Sequence, residues 1–235
     1  MTVELFYWPT IQGRGEFVRL ALEEAGVGYV DVAREAGGMA RLMAALDSAD
    51  HPSFAPPFVK VDGLTIGQTA NILLYLGDKH GLAPRDEAGR YWVHQLQLTI
   101  ADLVAETHDA HHPIASSLYY EDQRPEAKRR AADFTETRVP KFLDYFEGIL
   151  TRPDTKDYLT GATLTYADLS LFQAVSGLRY AFPQALARSD AAYPAVAALV
   201  DRVAARPRIA AYLASPRRLP FNEEGIFRHY PELDA

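Results

Sequence analysis

Apolar residues in the first 80 positions switch between two periods, whereas those after position 89 keep only one. Val3, Leu5 and Tyr7 recur at every second residue, which is the spacing of a strand. Phe17, Val18, Ala21, Leu22 and Ala25 share one face of a helix that stops at Gly26. Val27 to Val32 reads as a second strand, and Met39, Leu42, Met43 and Leu46 as a short helix. Phe58–Val61 and Leu64–Ile66, joined by Asp62-Gly63, carry the pattern of an antiparallel hairpin. A further helix runs from Thr69 towards His80 and ends at Gly81. The order β-α-β-α-β-β-α predicts a small mixed sheet with helices on its faces.

Residues 81–88, with Pro84, read as a linker. Beyond them the pattern is helical throughout, over 89–111, 125–150 and 165–181, with shorter helices starting near Pro194 and Pro207, where proline suits a first turn. Two units are therefore expected, an α/β unit at 1–80 and an all-helical unit at 89–235. The irregular tail of the second, 216–235, carries Phe221, Ile226, Phe227 and Tyr230 and is too apolar to be left in water.

Composition narrows the chemistry. The net charge of -7 disfavours phosphate backbones and anionic lipid, so neither nucleic acid nor a membrane is the expected partner. No apolar run approaches a bilayer span, and the N-terminus lacks the basic region and apolar core of a signal peptide; a cytoplasmic location is the default expectation. The 235 residues include no cysteine, which removes disulfides, thiolate metal sites and a cysteine nucleophile. Any thiol chemistry must use a sulfur brought by a ligand.

Several positions carry candidate chemistry, each with a plainer alternative. Tyr7 ends the first strand; it is either a core aromatic or a hydroxyl that donates to a bound thiol. Lowering a thiol of pKa ~8.5 by two units asks for roughly 2.7 kcal/mol. Gln68-Thr69 opens a helix, as an ordinary cap or as an anion site built from free amides and a hydroxyl. Pro56-Pro57 precedes the hairpin; trans is the common state, and cis would turn the chain and expose backbone to a ligand. His108, His111 and His112, near Glu106 and Asp109, form either a polar helix end or, with no strong zinc spacing, a metal cluster. Thr165-Tyr166-Ala167-Asp168 is a capping box that starts a buried helix. Gly13-Arg14-Gly15 lacks the spacing of a phosphate loop.

As an ordered set these segments resemble the tyrosine-type glutathione transferases of the pi, mu and sigma classes. The resemblance rests on Tyr7-Trp8-Pro9 with Gly13-Arg14-Gly15-Glu16, on Pro57-Phe58-Val59-Lys60-Val61-Asp62-Gly63 up to Gln68-Thr69-Ala70-Asn71-Ile72-Leu73, and on Gly161 to Asp168. It implies a thioredoxin-like N-terminal domain followed by a helical domain, in a homodimer that uses glutathione as co-substrate and needs no cofactor or metal. It also implies roles. Tyr7 would donate to the glutathione sulfur, with Arg14 supporting the site electrostatically. Gln68 and Thr69 would hold the γ-glutamyl carboxylate, and Pro57 would be the cis proline, with the backbone of Pro56 meeting the cysteinyl unit. Asp102 would reach across a dimer to the γ-glutamyl amine. Trp8 and His112 would border the second-substrate pocket.

The chain departs from the family pattern in three places. The loop from Tyr7 to Arg14 is one residue longer, Pro56 has no N–H, and the usual grip on the glycine carboxylate has no match. Without cysteine, the cysteine-using branches drop out; a serine-type branch would have only Thr10 in its place, which makes Thr10 the runner-up to Tyr7. The activity implied is thiolate attack on an electrophilic, largely apolar acceptor. The alternatives are a non-catalytic binder of glutathione or apolar ligands, and an isomerase or peroxidase on the same site.

Overall fold

The computed structural model describes residues 2–47 and 51–234, with only the backbone of 189 and 190; residues 1, 48–50 and 235 of the two expected units fall outside the described residues. Four strands, β1 (Val3–Phe6), β2 (Tyr29–Asp31), β3 (Phe58–Val61) and β4 (Leu64–Gly67), form one mixed sheet in the order β2-β1-β3-β4. β1 and β2 run parallel with Val3 opposite Tyr29, so a crossover is required, and α1 (Gly15–Ala25) supplies it. β3 lies antiparallel to β1 with Phe6 opposite Phe58, and β4 returns beside β3 through Asp62-Gly63. Both turn residues have positive φ, 53° and 77°, as the primed hairpin turn demands.

The period of two in β1 sorts its side chains. Val3 and Leu5 join Val59, Val61 and the inner faces of α1 and α3 (Thr69–His80) in the main core. Phe6 points the other way, stacks on Phe58 with ring centroids 4.6 Å apart, and packs with Leu42 and Ala45 of α2 (Gly38–Asp47). Both faces of the sheet are therefore covered.

The helical half begins at α4 (Glu87–His111), where the Asp86 carboxylate accepts the Gly89 N–H at 2.8 Å. The expected helix over 125–150 is divided into α5 (Arg124–Asp133) and α6 (Val139–Leu150) by a π turn at Phe134–Arg138. Pro140 lacks the N–H that would continue the ladder, and the local widening absorbs that gap. α7 (Tyr166–Ala181) is the central helix and packs on α1, α4 and α9 (Pro194–Ala204). At its start Asp168 accepts from the Thr165 backbone at 2.7 Å, the Thr165 hydroxyl at 2.8 Å and the Leu159 N–H at 2.8 Å. α10 (Pro207–Leu213) follows α9.

One helix lies outside those expected from the sequence, α8 (Pro183–Asp190), although Pro183 opens it as Pro194 and Pro207 open theirs. Its first free amides, on Gln184 and Ala185, donate to Asp234 at 2.7 and 2.9 Å, a cap that arrives from the far end of the chain. The tail is ordered, as its apolar residues require. Ile226 and Phe227 are buried, and the Tyr230 ring stacks on Tyr120 at 3.8 Å. Among the described residues no helix is long and apolar enough to cross a membrane.

Candidate active site

Tyr7 follows β1 directly, on the side of the sheet that α1 covers. Its hydroxyl accepts the backbone N–H of Arg14 at 2.8 Å. The loop closes tightly on the ring: a Cβ at Gly13 would lie 2.0 Å from the hydroxyl, and one at Gly15 2.5 Å from the ring carbons. Gly13 has a φ of 45°, so both space and conformation exclude a side chain there. The loop thus keeps Tyr7 and Arg14 in contact. Among the described residues no acceptor takes the phenol's own proton. Burial pushes the Tyr7 hydroxyl above its ordinary pKa, against the pull of the Arg14 amide and the Arg14 and Arg19 charges. The phenol therefore stays neutral at neutral pH and keeps a proton to donate.

A cleft of about 340 Å³ lies between the start of α3 and the face of α4, lined by Arg14, Phe17, Gln68, Thr69, His94 and Gln97 among others. The Thr69 hydroxyl oxygen is buried without a hydrogen-bond partner, and the Gln68 side chain makes no capping bond. Gln68 sits at a φ of 67°, a strained conformation for a residue with a Cβ. The guanidinium of Arg14 makes no ion pair among the described residues. A helix N-terminus, an unpartnered hydroxyl and a guanidinium line one cleft, which is chemistry suited to an anion. His94 and Gln97 were not singled out from the sequence; their signal is an i, i+3 spacing on the face of α4 turned to α3.

The Pro56–Pro57 peptide is cis and both prolines are buried. Continuing the β1–β3 register one residue past the Phe6–Phe58 pair sets Tyr7 opposite Pro57. Asp102 is exposed on α4 and does not line the cleft of its own chain. Trp8 is half-buried and packs against the cluster of Phe6, Phe58 and Leu42 on the α2 side of the sheet. Thr10 is exposed, and its hydroxyl donates outward to Glu224 at 3.3 Å.

The histidines at the end of α4 meet one another, with ring centroids 4.7 to 5.4 Å apart. His111 Nε2 faces the Ile226 carbonyl at 2.8 Å, so it must donate; its Nδ1 is then an acceptor for the Nδ1–H of His112. Among the described residues no group of three or more His, Cys, Asp or Glu is placed to hold a metal ion. Burial holds His111 and His112 well below the usual imidazole range; the Ile226 contact opposes this for His111, and the Arg228 charge adds to it for both. The unfolded chain therefore takes up protons first as pH falls below about 6.5, so this stability is present above that pH and lost below it. Between pH 6.5 and 5 His111 is expected to cost the wild type about 2 kcal/mol, or roughly 4–8 °C in Tm. His111→Gln keeps a donor for Ile226 and should flatten that stretch of the Tm-against-pH curve.

Known proteins resemble this chain in sequence and in overall fold. Residues 108–216 match the family model described as glutathione S-transferase, C-terminal domain. Glutathione S-transferase P 1 of Xenopus laevis is 26% identical over 220 residues, spanning 91% of this chain and 92% of its own. Human glutathione S-transferase A4 is 29% identical over 181 residues, spanning 77% and 76%. The fold of the pi-class glutathione S-transferase of Onchocerca volvulus superposes with a TM-score of 0.70 at 20% identity, over 96% of this chain and 99% of that one. A four-stranded mixed sheet ahead of a helical half, with relatives matched along most of both, makes the chain similar to the glutathione transferases in sequence and in fold.

Proposed function

We propose that this chain binds glutathione, holds its thiol as the thiolate and lets that thiolate attack an electrophilic, largely apolar acceptor. The observation that carries the reading is the Tyr7 hydroxyl, which accepts an N–H from Arg14 and keeps its own proton uncommitted. Donated to a bound sulfur, that proton favours the anion. A free thiol of pKa ~8.5 is only a few per cent ionised at neutral pH, and a shift of two units, roughly 2.7 kcal/mol, makes it mostly ionised. The accepted bond polarises the phenol, and the Arg14 charge adds a field of the right sign.

The remaining roles are those that the resemblance implies. Gln68 and Thr69 hold the γ-glutamyl carboxylate, beside the Arg14 guanidinium. The carbonyl of Pro56, next to cis Pro57, accepts from the cysteinyl unit; Pro56 has no N–H to return. Asp102 serves the γ-glutamyl amine of glutathione held by a partner protomer, which makes a homodimer the working form. Trp8 and His112 border the acceptor pocket. Residues 1–80 act as the thioredoxin-like glutathione-binding domain and 89–235 as the helical domain. The chemistry asks for no cofactor besides glutathione, and the cytoplasm is the proposed location.

The test is a pH titration of glutathione on the purified protein, followed by the ultraviolet band of the thiolate. The expected result is binding with an ionisation midpoint about two units below that of free glutathione. Absence of the band, or no affinity for glutathione, would sink the reading.

A further inference from the structure

Gln12 is 4% exposed, and its side-chain amide and backbone carbonyl are all hydrogen-bonded. Its side-chain oxygen accepts from Gln173 Nε2 of α7 at 2.8 Å, and its side-chain nitrogen donates to the Leu219 carbonyl of the tail. Its backbone carbonyl accepts from the Glu16 N–H at 3.0 Å and from Arg19 Nη1 at 3.3 Å. The circuit closes on itself. Arg218 Nη2 donates to Gln173 Oε1 at 3.0 Å and Arg218 Nη1 to the Glu16 carboxylate. Glu16 also accepts from Arg19 at 3.1 Å, which leads back to Gln12. Gln173, Glu16 and Arg19 are fully buried.

The next residue is Gly13, whose backbone lies against the Tyr7 hydroxyl, and then Arg14, whose N–H that hydroxyl accepts. A glycine at positive φ has wide conformational freedom, so the turn keeps one geometry only if its neighbours are held. Buried polar chains contribute little more stability than well-packed apolar residues of the same volume, and their attested use is to fix one arrangement. We propose that Gln173 and Arg218 are positioning residues: through Gln12 they fix the Gly13–Arg14 turn that presents the Arg14 amide to Tyr7. The helical half and the tail would thus set the geometry of a hydroxyl on the sheet. The inference rests on the glutathione reading above.

The test uses the full chain with saturating glutathione and reads the thiolate midpoint from its ultraviolet band. Gln173→Leu removes both bonds at similar volume. It should raise the midpoint by about half to one pH unit, a three- to ten-fold loss of thiolate one unit below the wild-type midpoint, with a similar loss in kcat. KM for glutathione should stay within about two-fold, because the carboxylate cleft is untouched. Arg218→Lys keeps the charge but loses the fork between Gln173 and Glu16, so it should shift the midpoint in the same direction by less. It also decides the matter if Gln173→Leu does not fold. Leu178→Ala, a core change on the same helix, should lower Tm without moving the midpoint. An unmoved midpoint in folded Gln173→Leu or in Arg218→Lys overturns the positioning role, as does an equal shift in Leu178→Ala. A wild type with no thiolate band overturns the glutathione reading itself, which is a different result.

Discussion

Tyr7→Phe is expected to lower kcat/KM for conjugation of glutathione with a generic aryl halide by about 50-fold at pH 6.5. The estimate follows from the two-unit shift assigned to the phenol, because the loss of one donor returns most of the bound thiol to its protonated form. Two side effects separate this from general damage. First, the Arg14 N–H loses its acceptor, which costs about 1–2 kcal/mol and a few degrees of Tm and leaves the fold intact. Second, the deficit should shrink as pH rises above about 9, where free glutathione ionises without help. KM for glutathione should change little, since Gln68, Thr69 and Arg14 are untouched. An unchanged rate in the variant would remove Tyr7 from the chemistry and leave only its place in the core.

The largest effect on stability is expected at Asp168. Its carboxylate is fully buried and accepts three hydrogen bonds, two from backbone amides, of 2.7 to 2.8 Å. Asp168→Ala leaves the Leu159 and Thr165 N–H groups without partners in a dry site, at about 1–3 kcal/mol each, and removes the reciprocal cap at the start of α7. The sum is about 3–5 kcal/mol, or roughly 8–15 °C in a chain of this size. The loss should be global, because α7 packs on α1, α4 and α9 and so ties the sheet to the helices. Asp168→Asn keeps one acceptor oxygen and should lose about half as much. A melting temperature within two degrees of wild type for the alanine variant would show that the box is dispensable.

Asp168 also illustrates what is legible in a sequence. Thr165 and Asp168 are three residues apart, and a capping box acts within one helical turn, so the pattern and the structure coincide. The Asp62-Gly63 turn, the stops at Gly26 and Gly81 and the alternation in β1 are equally local. Gln68 and Thr69 were picked out by their place at a helix start, and the structure lines one cleft with them and Arg14. The resemblance located Pro57 and Tyr7, but the cis state of Pro57 depends on what the surrounding chain selects.

Other features leave no local trace. The cap on α8 comes from Asp234, 49 and 50 residues away. Trp8 looks like any aromatic in a loop, and only the packing of α2 against the sheet draws it to the Phe6–Phe58 side. The three histidines read as a polar helix end until the tail supplies the Ile226 carbonyl that orders their protons.

What the sequence alone determined is most of the elements, their order and the identity of a phenol at the end of the first strand, because hydrophobic period, caps and turns act over a few residues. Tertiary structure decided what that phenol meets. The Arg14 amide reaches it across a glycine turn, and Gln12 in that turn is gripped by Gln173 and Leu219, 161 and 207 positions further on. Hydrogen bonds between such distant residues follow no periodicity, so the chain has to be folded before they can be read.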